Sequence, residues 1–252
     1  MEPMIRNILR KFSRGVVLKR HLPREYGHHP MFVSPDSALA YWRSDLEKVD
    51  PFLLSMVREL VRKDMQVWDI GANVGLFSFA AAALGARVLA VEADTWLADL
   101  LRRSAHLNGL PVSVLSAAVS DTLGVSELHL SNEGRASNSL TGSSRSHPVV
   151  TVTLDSLLDR FGVPDLLKID IEGSECAALR GAPQLLQHQP TIFCEVSQDH
   201  DDVARIFSAA GYTLYAARER DRQPISRPSR DTLALPATAA QRNQRVFSGS
   251  SY

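Results

Sequence analysis

From Met65 onward, apolar runs of strand length recur along the chain. They cover Met65 to Ile70, Arg87 to Val91, Val112 to Val119, Leu166 to Ile171, Thr191 to Val196 and Tyr212 to Ala216. Stretches long enough for a helix separate most of them, which predicts alternating strand and helix and a mostly parallel sheet with helices on both faces, an α/β fold. The longest apolar stretch, Val74 to Ala86, is too short to span a bilayer and reads as a buried first helix of that domain. Ser120 to Pro148 breaks the rhythm. Gly124, Gly134, Gly142 and many Ser and Asn surround one alternating piece, Ser126 to Leu130, so a hairpin and an exposed loop are expected there.

Ahead of the α/β pattern, Met4 to Lys19 places Ile5, Ile8, Leu9, Phe12 and Val16 on one helical face and Arg6, Arg10, Lys11, Arg14 and Lys19 off it. This basic amphipathic helix either packs on the domain or meets anionic lipid or a partner. Pro23, Gly27, Pro30 and Pro35 suggest a short linker, and Asp50-Pro51 opens a helix to about Lys63 with Phe52, Leu53, Met56, Val57 and Leu60 at helical period. The expected organisation is an N-terminal helical segment over 1–63, an α/β domain over 64–236 and a frayed tail over 237–252.

Charge and cysteine content narrow the setting. Lys plus Arg equal Asp plus Glu at 28 each, so no global field draws the chain to nucleic acid, and no nucleic-acid partner is expected. Cys176 and Cys194 both fall in apolar elements and offer no metal spacing, which suits buried thiols in a reducing, cytoplasmic setting. No cleavable leader pattern precedes the domain.

The chemistry centres on Asp69-Ile-Gly-Ala-Asn-Val-Gly75, between the apolar run at Val67-Trp68 and a helical run, with Val91-Glu92 ending the next strand. A strand feeding a glycine turn into a helix start turns backbone N–H groups toward an anion, and an acid ending the following strand can accept both hydroxyls of a ribose. The spacing Gly71-x-x-x-Gly75 lacks the G-x-G-x-x-G that seats a dinucleotide pyrophosphate. It suggests instead S-adenosylmethionine (SAM), whose anionic end is one carboxylate. Gly71 is expected to take positive φ, Gly75 to let the helix approach the ligand, Asp69 to bind the cofactor's amino group, and Asn73 to bind its carboxylate or the substrate. Asn73 also suits a turn or cap with no ligand, and the whole motif is compatible with an ordinary glycine turn.

A second motif, Lys168-Ile-Asp170-Ile-Glu172-Gly173, alternates charged and apolar residues. On a regular strand Lys168, Asp170 and Glu172 share one direction, with the acids at the carboxyl end, where open α/β sheets bind ligands. Asp170 is the first choice for a base or hydroxyl anchor, with Glu172 and Glu195 as competitors, while Lys168 is expected to pair with a neighbouring carboxylate. Ser174 and Glu175 open the next helix. The three acids have oxygen for magnesium but suffice without it, and no two histidines have ligand spacing, so no metal site is predicted. His147, beside the expected loop, is the one histidine placed to border a substrate opening. The loop from Asn132 to Pro148 suits a cover, mobile until cofactor and acceptor bind.

Asp69 to Gly75, Val91-Glu92-Ala-Asp94, Leu154-Asp155, Leu167-Lys-Ile-Asp-Ile-Glu-Gly-Ser-Glu175 and Cys194-Glu195-Val196 together resemble the FkbM-type methyltransferases, over about Phe32 to Pro236. The resemblance implies a Rossmann-like class I methyltransferase fold, seven-stranded with the last strand antiparallel; Thr232 to Leu235 is a short candidate for that strand. It also implies methylation of hydroxyls on sugars, glycans or polyketide-type molecules, with SAM held by Asp69, Gly71, Asn73, Gly75 and Glu92. Two rivals stand beside it: an NAD(P)-dependent oxidoreductase, which would also use Glu92 on a ribose, and a non-catalytic SAM-binding module, which would have no need of the acids at 170 and 195.

Overall fold

The computed structural model describes residues 9–131, 134–142 and 145–236. Helix α1 (9–13) leads into a hairpin of β1 (Leu18–His21) and β2 (Pro30–Val33), and then α2 (Pro51–Leu60). The alternating part begins with β3 (Gln66–Ile70), α3 (Leu76–Ala83), β4 (Arg87–Glu92), α4 (Thr95–Asn108) and β5 (Val112–Ser116). Three strands interrupt it: β6 (Ala118–Val119), β7 (Gly124–His129) and β8 (Ser146–Val152). It resumes through α5 (Leu158–Phe161), β9 (Leu166–Ile169), α6 (Glu175–Arg180), α7 (Pro183–Gln187), β10 (Thr191–Glu195), α8 (His200–Ala209) and β11 (Tyr212–Ala216). The closing strands are β12 (Pro224–Ile225) and β13 (Asp231–Pro236).

The N-terminal region corrects two expectations. The helix does not run to Lys19: it ends by Ser13, Gly15 takes φ +68°, and Leu18 to His21 pair with Pro30 to Val33 instead. The segment expected as a linker is the other half of that hairpin. Its apolar side chains explain why it folds back: Leu22, Tyr26, Met31 and Val33 are fully buried in one cluster with α3 and α4. Phe32 N–H donates to Ser104 Oγ on α4 at 2.8 Å, and the Arg103 guanidinium lies 4.6 Å over the Phe32 ring. Phe12, expected on the apolar face of the first helix, is 73% exposed. The parts of that helix before residue 9, and the tail 237–252, lie outside the described residues.

Among the described residues the main sheet has eight strands in the order β12-β11-β13-β10-β9-β3-β4-β5. Strands β3, β4, β5, β9 and β10 are mutually parallel, and β13 runs antiparallel between β10 and β11. This is the expected Rossmann-like α/β sheet with an antiparallel last strand; the eighth strand is the two-residue edge piece β12. Every residue of β13 is buried, so both its faces are covered and it shows none of the alternation of a half-exposed strand. The run Val112 to Val119 is not one strand. Ala118–Val119 leaves the main sheet to pair with β8, and with β7 they form a separate three-stranded sheet that begins over the end of β4.

Strand order reverses at the middle of the sheet: β3 connects to β4 on one side, while β9 lies on its other side. At such a switch point the loops leaving the two strands diverge and open a crevice at their carboxyl ends. Both motifs singled out in the sequence follow these two strands. Asp170 N–H donates to Ile70 O at 3.0 Å, and a Cβ at Gly71 would stand 1.8 Å from Asp170 O, so the two loops touch backbone to backbone.

Candidate functional site

The loop after β3 is held from behind by β4. Gly71 (φ +78°) and Ala72 both donate N–H to Val91 O, at 2.9 and 3.0 Å, and Gly75 donates to Ala72 O. Glu92 ends β4 and grips the loop through its carboxylate: Oε2 accepts from Asn73 N–H at 2.7 Å and Oε1 from Asp94 N–H at 2.8 Å. Glu92 also lines a cleft above the turn. Burial pushes its carboxyl up to about 7 despite those two N–H donors. Asn73 (φ +54°) lines the same cleft, and its Oδ1 accepts from Ser37 Oγ. Gly75 faces the other way. A Cβ there would strike Leu101 and the Phe79 ring at 2.5–2.6 Å, so its bareness serves core packing and not the approach of a ligand.

Asp69 is fully buried and does not border the cleft. Its Oδ2 accepts from Ser78 Oγ of α3 at 2.6 Å, and its Oδ1 lies 3.0 Å from Lys168 Nζ. Lys168, itself buried, also donates to Gly71 O at 3.2 Å and reaches Asp170 Oδ2 at 3.4 Å. Burial works against the ammonium, but Asp69 and then Asp170 outweigh it and hold its pKa above the ordinary lysine value. The expected pairing of Lys168 with a neighbouring carboxylate is therefore present, with two of them. Asp69, expected to meet the cofactor's amino group, instead anchors the cation that ties the glycine turn to the loop after β9.

That loop leaves strand geometry at once. The strand stops at Ile169, and Glu172 has φ +51°, so the regular alternation through residue 172 gives way to a tight turn. Glu175 builds the turn by accepting Gly173 N–H at 2.9 Å and Ile171 N–H at 3.3 Å on Oε1, with Ser197 Oγ on Oε2. Asp170 and Glu172 both line the cleft, across from Glu92. Burial, then the negative charges of Asp170, Glu195 and Glu175, push the Glu172 carboxyl up to about 7. Glu195 does not border the cleft; its Oε1 accepts from Arg230 Nε at 2.7 Å. The described residues contain no cluster of three or more His, Cys, Asp or Glu arranged to hold a metal ion. His147 sits in β8 opposite Leu128 and does not line the cleft, and Cys176 and Cys194 are buried thiols.

The cleft is narrow, with a cavity volume of about 100 Å³, and is partly open to solvent. Its cover comes from the long loop between β7 and β8. Arg135 Nε donates to Asp36 at 3.0 Å and its Nη1 to Asp94 at 2.8 Å; Asn138 Nδ2 donates to Asp94 at 2.9 Å, and Ser139 Oγ to Glu172 O at 2.7 Å. The Arg135 guanidinium also lies 4.7 Å over the Trp96 ring. Asp94 thus has two jobs: Oδ1 caps α4 through Trp96 N–H, and Oδ2 receives the cover. The fastenings of this loop are not legible in the sequence, because Asp36, Asp94 and Arg135 are far apart in the chain. For the inward turn of Asp69, the one local sign is Ser78, a hydroxyl within an otherwise apolar helix.

The cover is closed by few contacts, most of them on Arg135. Arg135→Ala is expected to speed hydrogen exchange at the amides of Arg135 and Ala136, which bond Asp36 O and Ser37 O, while leaving β3 and β9 protected. Unchanged exchange at those two amides would show that Arg135 does not hold the cover.

The methyltransferase FkbM domain matches residues 69–214, more than half of the chain. Hexuronic acid methyltransferase AglP of Haloferax volcanii is 24% identical over 173 residues, spanning 67% of this chain and 72% of its own. Among solved structures, precorrin-6y C5,15-methyltransferase from Geobacter metallireducens aligns with a TM-score of 0.46 at 13% identity, over 75% of this chain and 88% of that one. The tRNA (uracil-54, C5)-methyltransferase of Pyrococcus abyssi, solved with S-adenosyl-L-homocysteine, aligns with a TM-score of 0.48 at 15% identity, over 86% of this chain and 43% of that one.

Proposed function

The chain belongs to the methyltransferase FkbM domain family, with SAM as its cofactor, and from that premise we propose that it methylates a hydroxyl of a sugar or glycan. The observation that carries this reading is the cleft at the switch point, with the Glu92 carboxylate on one wall and Asp170 and Glu172 on the other. The residues present fit the cofactor. Glu92 already spends one lone pair of each oxygen on backbone N–H groups, which fixes its plane and leaves the second pair of each for ribose hydroxyls. Asn73 brings a side-chain amide to the same cleft, and Gly71 a backbone with no side chain in the way. The sugar acceptor is supported by the relative that acts on hexuronic acid.

When bound, SAM supplies a methyl carbon on a sulfonium, a good leaving group. The protein's work is then to align the acceptor oxygen with that carbon and to receive one proton as the oxygen–carbon bond forms and the sulfur–carbon bond breaks. Alignment in a near-attack geometry can supply about 7–11 kcal/mol. Asp170 takes the proton or holds the hydroxyl, with Lys168 behind it fixing the carboxylate, and Glu172 lies in reach of the same space. The docked cover roofs part of the cleft through Arg135, Asn138 and Ser139 and narrows its opening to solvent.

Glu92→Ala is expected to weaken binding of S-adenosylhomocysteine at least tenfold, since hydrogen bonds to a charged group contribute about 1.5–3 kcal/mol. Wild-type binding by calorimetry would remove Glu92 from the site. The raised Glu92 pKa adds a pH signature. A protonated carboxyl accepts ribose hydroxyls less well, so affinity should rise with pH and level off above about 7 in the wild type. Glu92→Gln should flatten that rise. Methyl-labelled SAM incubated with uronate and neutral oligosaccharides tests the activity itself, and label only on nitrogen or carbon would overturn the hydroxyl assignment. A thermal-shift series with SAM, S-adenosylhomocysteine, NAD and NADP separates this reading from an oxidoreductase, because only a ligand of the native state raises its stability.

A further inference from the structure

A second concavity abuts the cover on its outer side and shares Arg135 and Asn138 with the catalytic cleft. Its described lining carries five cations, Arg10, Lys11, Arg14, Arg135 and Arg145, against a single carboxylate, Asp36. That imbalance is local, because the whole chain carries equal numbers of acidic and basic residues. Asp36 is already committed: Arg135 Nε and Gly15 N–H both donate to its Oδ2, at 3.0 and 3.2 Å. Arg135 in turn is matched by Asp36 and Asp94. Apart from Arg10, the groove therefore still carries the cations Lys11 and Arg14 on one side and Arg145, just before β8, on the other.

The same groove has apolar surface between those charges, from Pro35, Leu39 and Leu130, and amide and hydroxyl groups at Asn138 and Ser131. Its cavity volume, about 850 Å³, lies toward the top of the range of about 300–1,000 Å³ for small-molecule sites, which suits a short run of sugar units. Among the described residues no aromatic side chain lines it, as a single-stranded nucleic acid site would use for stacking. Cations spread along an extended groove, with apolar patches for sugar C–H faces between them, match carboxylates that recur along a chain; the arginine fork pairs with carboxylate in two parallel hydrogen bonds.

We propose that this groove binds the acidic, carboxylate-bearing part of a glycan whose hydroxyl enters the neighbouring cleft. The proposal rests on the methyltransferase reading and deepens it, by giving the acceptor a charge and a path. Arg135 and Asn138 then stand at the junction, so glycan in the groove also bears on the cover.

The test titrates the full chain with a glucuronate-containing oligosaccharide, with its carboxyl-reduced neutral counterpart, and with phosphatidylglycerol vesicles. S-adenosylhomocysteine binding is measured on the same samples. The expected result is salt-sensitive binding of the acidic oligosaccharide, weakened about tenfold or more by Arg14→Glu with Arg145→Glu. Both positions are exposed, so the fold and S-adenosylhomocysteine binding should stay unchanged. The proposal is overturned if the acidic oligosaccharide does not bind, if the neutral one binds equally, if the double variant binds like wild type, or if only vesicles bind. Failure to bind S-adenosylhomocysteine would strike the methyltransferase reading instead, and the oligosaccharide titration would still report on the groove.

Discussion

Replacing Asp170 with asparagine is expected to lower turnover by about 10²–10⁴-fold, the usual contribution of a positioned general base, while S-adenosylhomocysteine binding stays within about twofold of wild type. Asparagine keeps the shape and loses the proton acceptor. Two structural facts favour Asp170 over its competitors. It lines the cleft with its carboxylate held near Lys168 Nζ, whereas Glu195 is off the cleft and engaged by Arg230. Glu172 is the closer rival, because it lines the cleft and its carboxyl is raised to about 7. Glu172→Gln separates the two. If Glu172 receives the proton, that variant loses turnover as deeply as Asp170→Asn and the rate no longer climbs with pH toward 7. Near-normal turnover by Asp170→Asn on its own acceptor would take Asp170 out of the mechanism.

Lys168→Met should be the most damaging single change to stability. It removes the ammonium from Asp69, a carboxylate with no exposure and one remaining side-chain partner, Ser78. Breaking a buried pair from one side costs about 3–5 kcal/mol, because the other charge stays buried and uncompensated. For a chain of this size that corresponds to a fall in Tm of roughly 6–20 °C, at about 2–4 °C per kcal/mol. Cofactor binding should weaken too, since Lys168 also donates to Gly71 O in the glycine turn. Adding Asp69→Asn to Lys168→Met removes the orphaned charge, so the double variant should be more stable than Lys168→Met alone. A Lys168→Met protein that melts with the wild type, or a double variant no better than the single, would show that the pair carries no such weight.

Much of this protein was legible in one dimension. The period of apolar residues located the main-sheet strands from β3 to β11, since a strand covered by helices on both faces must be apolar nearly throughout. Asp50-Pro51 announced α2, where Asp50 Oδ1 accepts Leu53 N–H at 2.8 Å. Other features were invisible for stated reasons. Strand β13 lacks alternation because both its faces are buried, and the hairpin of β1 and β2 was masked by prolines that in fact begin or flank its strands. Val112 to Val119 read as one strand because its apolar residues run on while the chain bends from one sheet into another.

The candidate site divides along the same line. Local sequence placed Gly71, Asn73, Glu92, Asp170 and Glu172 at strand ends, because a turn needing positive φ and an acid ending a strand are properties of a few consecutive residues. What those residues face was settled only by the packing of separate strands. Asp69 and Asp170 are neighbours of Lys168 across the sheet and along the loop, so one carboxylate was drawn inward to an ion pair and the other left in the cleft. The cover's hold on Asp94 joins residues that lie 41 and 44 positions apart, and the gathering of Arg10, Arg14 and Arg145 around one groove joins segments more than a hundred residues apart. Charge pairing and burial depend on distance in space, and that distance exists only once the sheet has set its strand order.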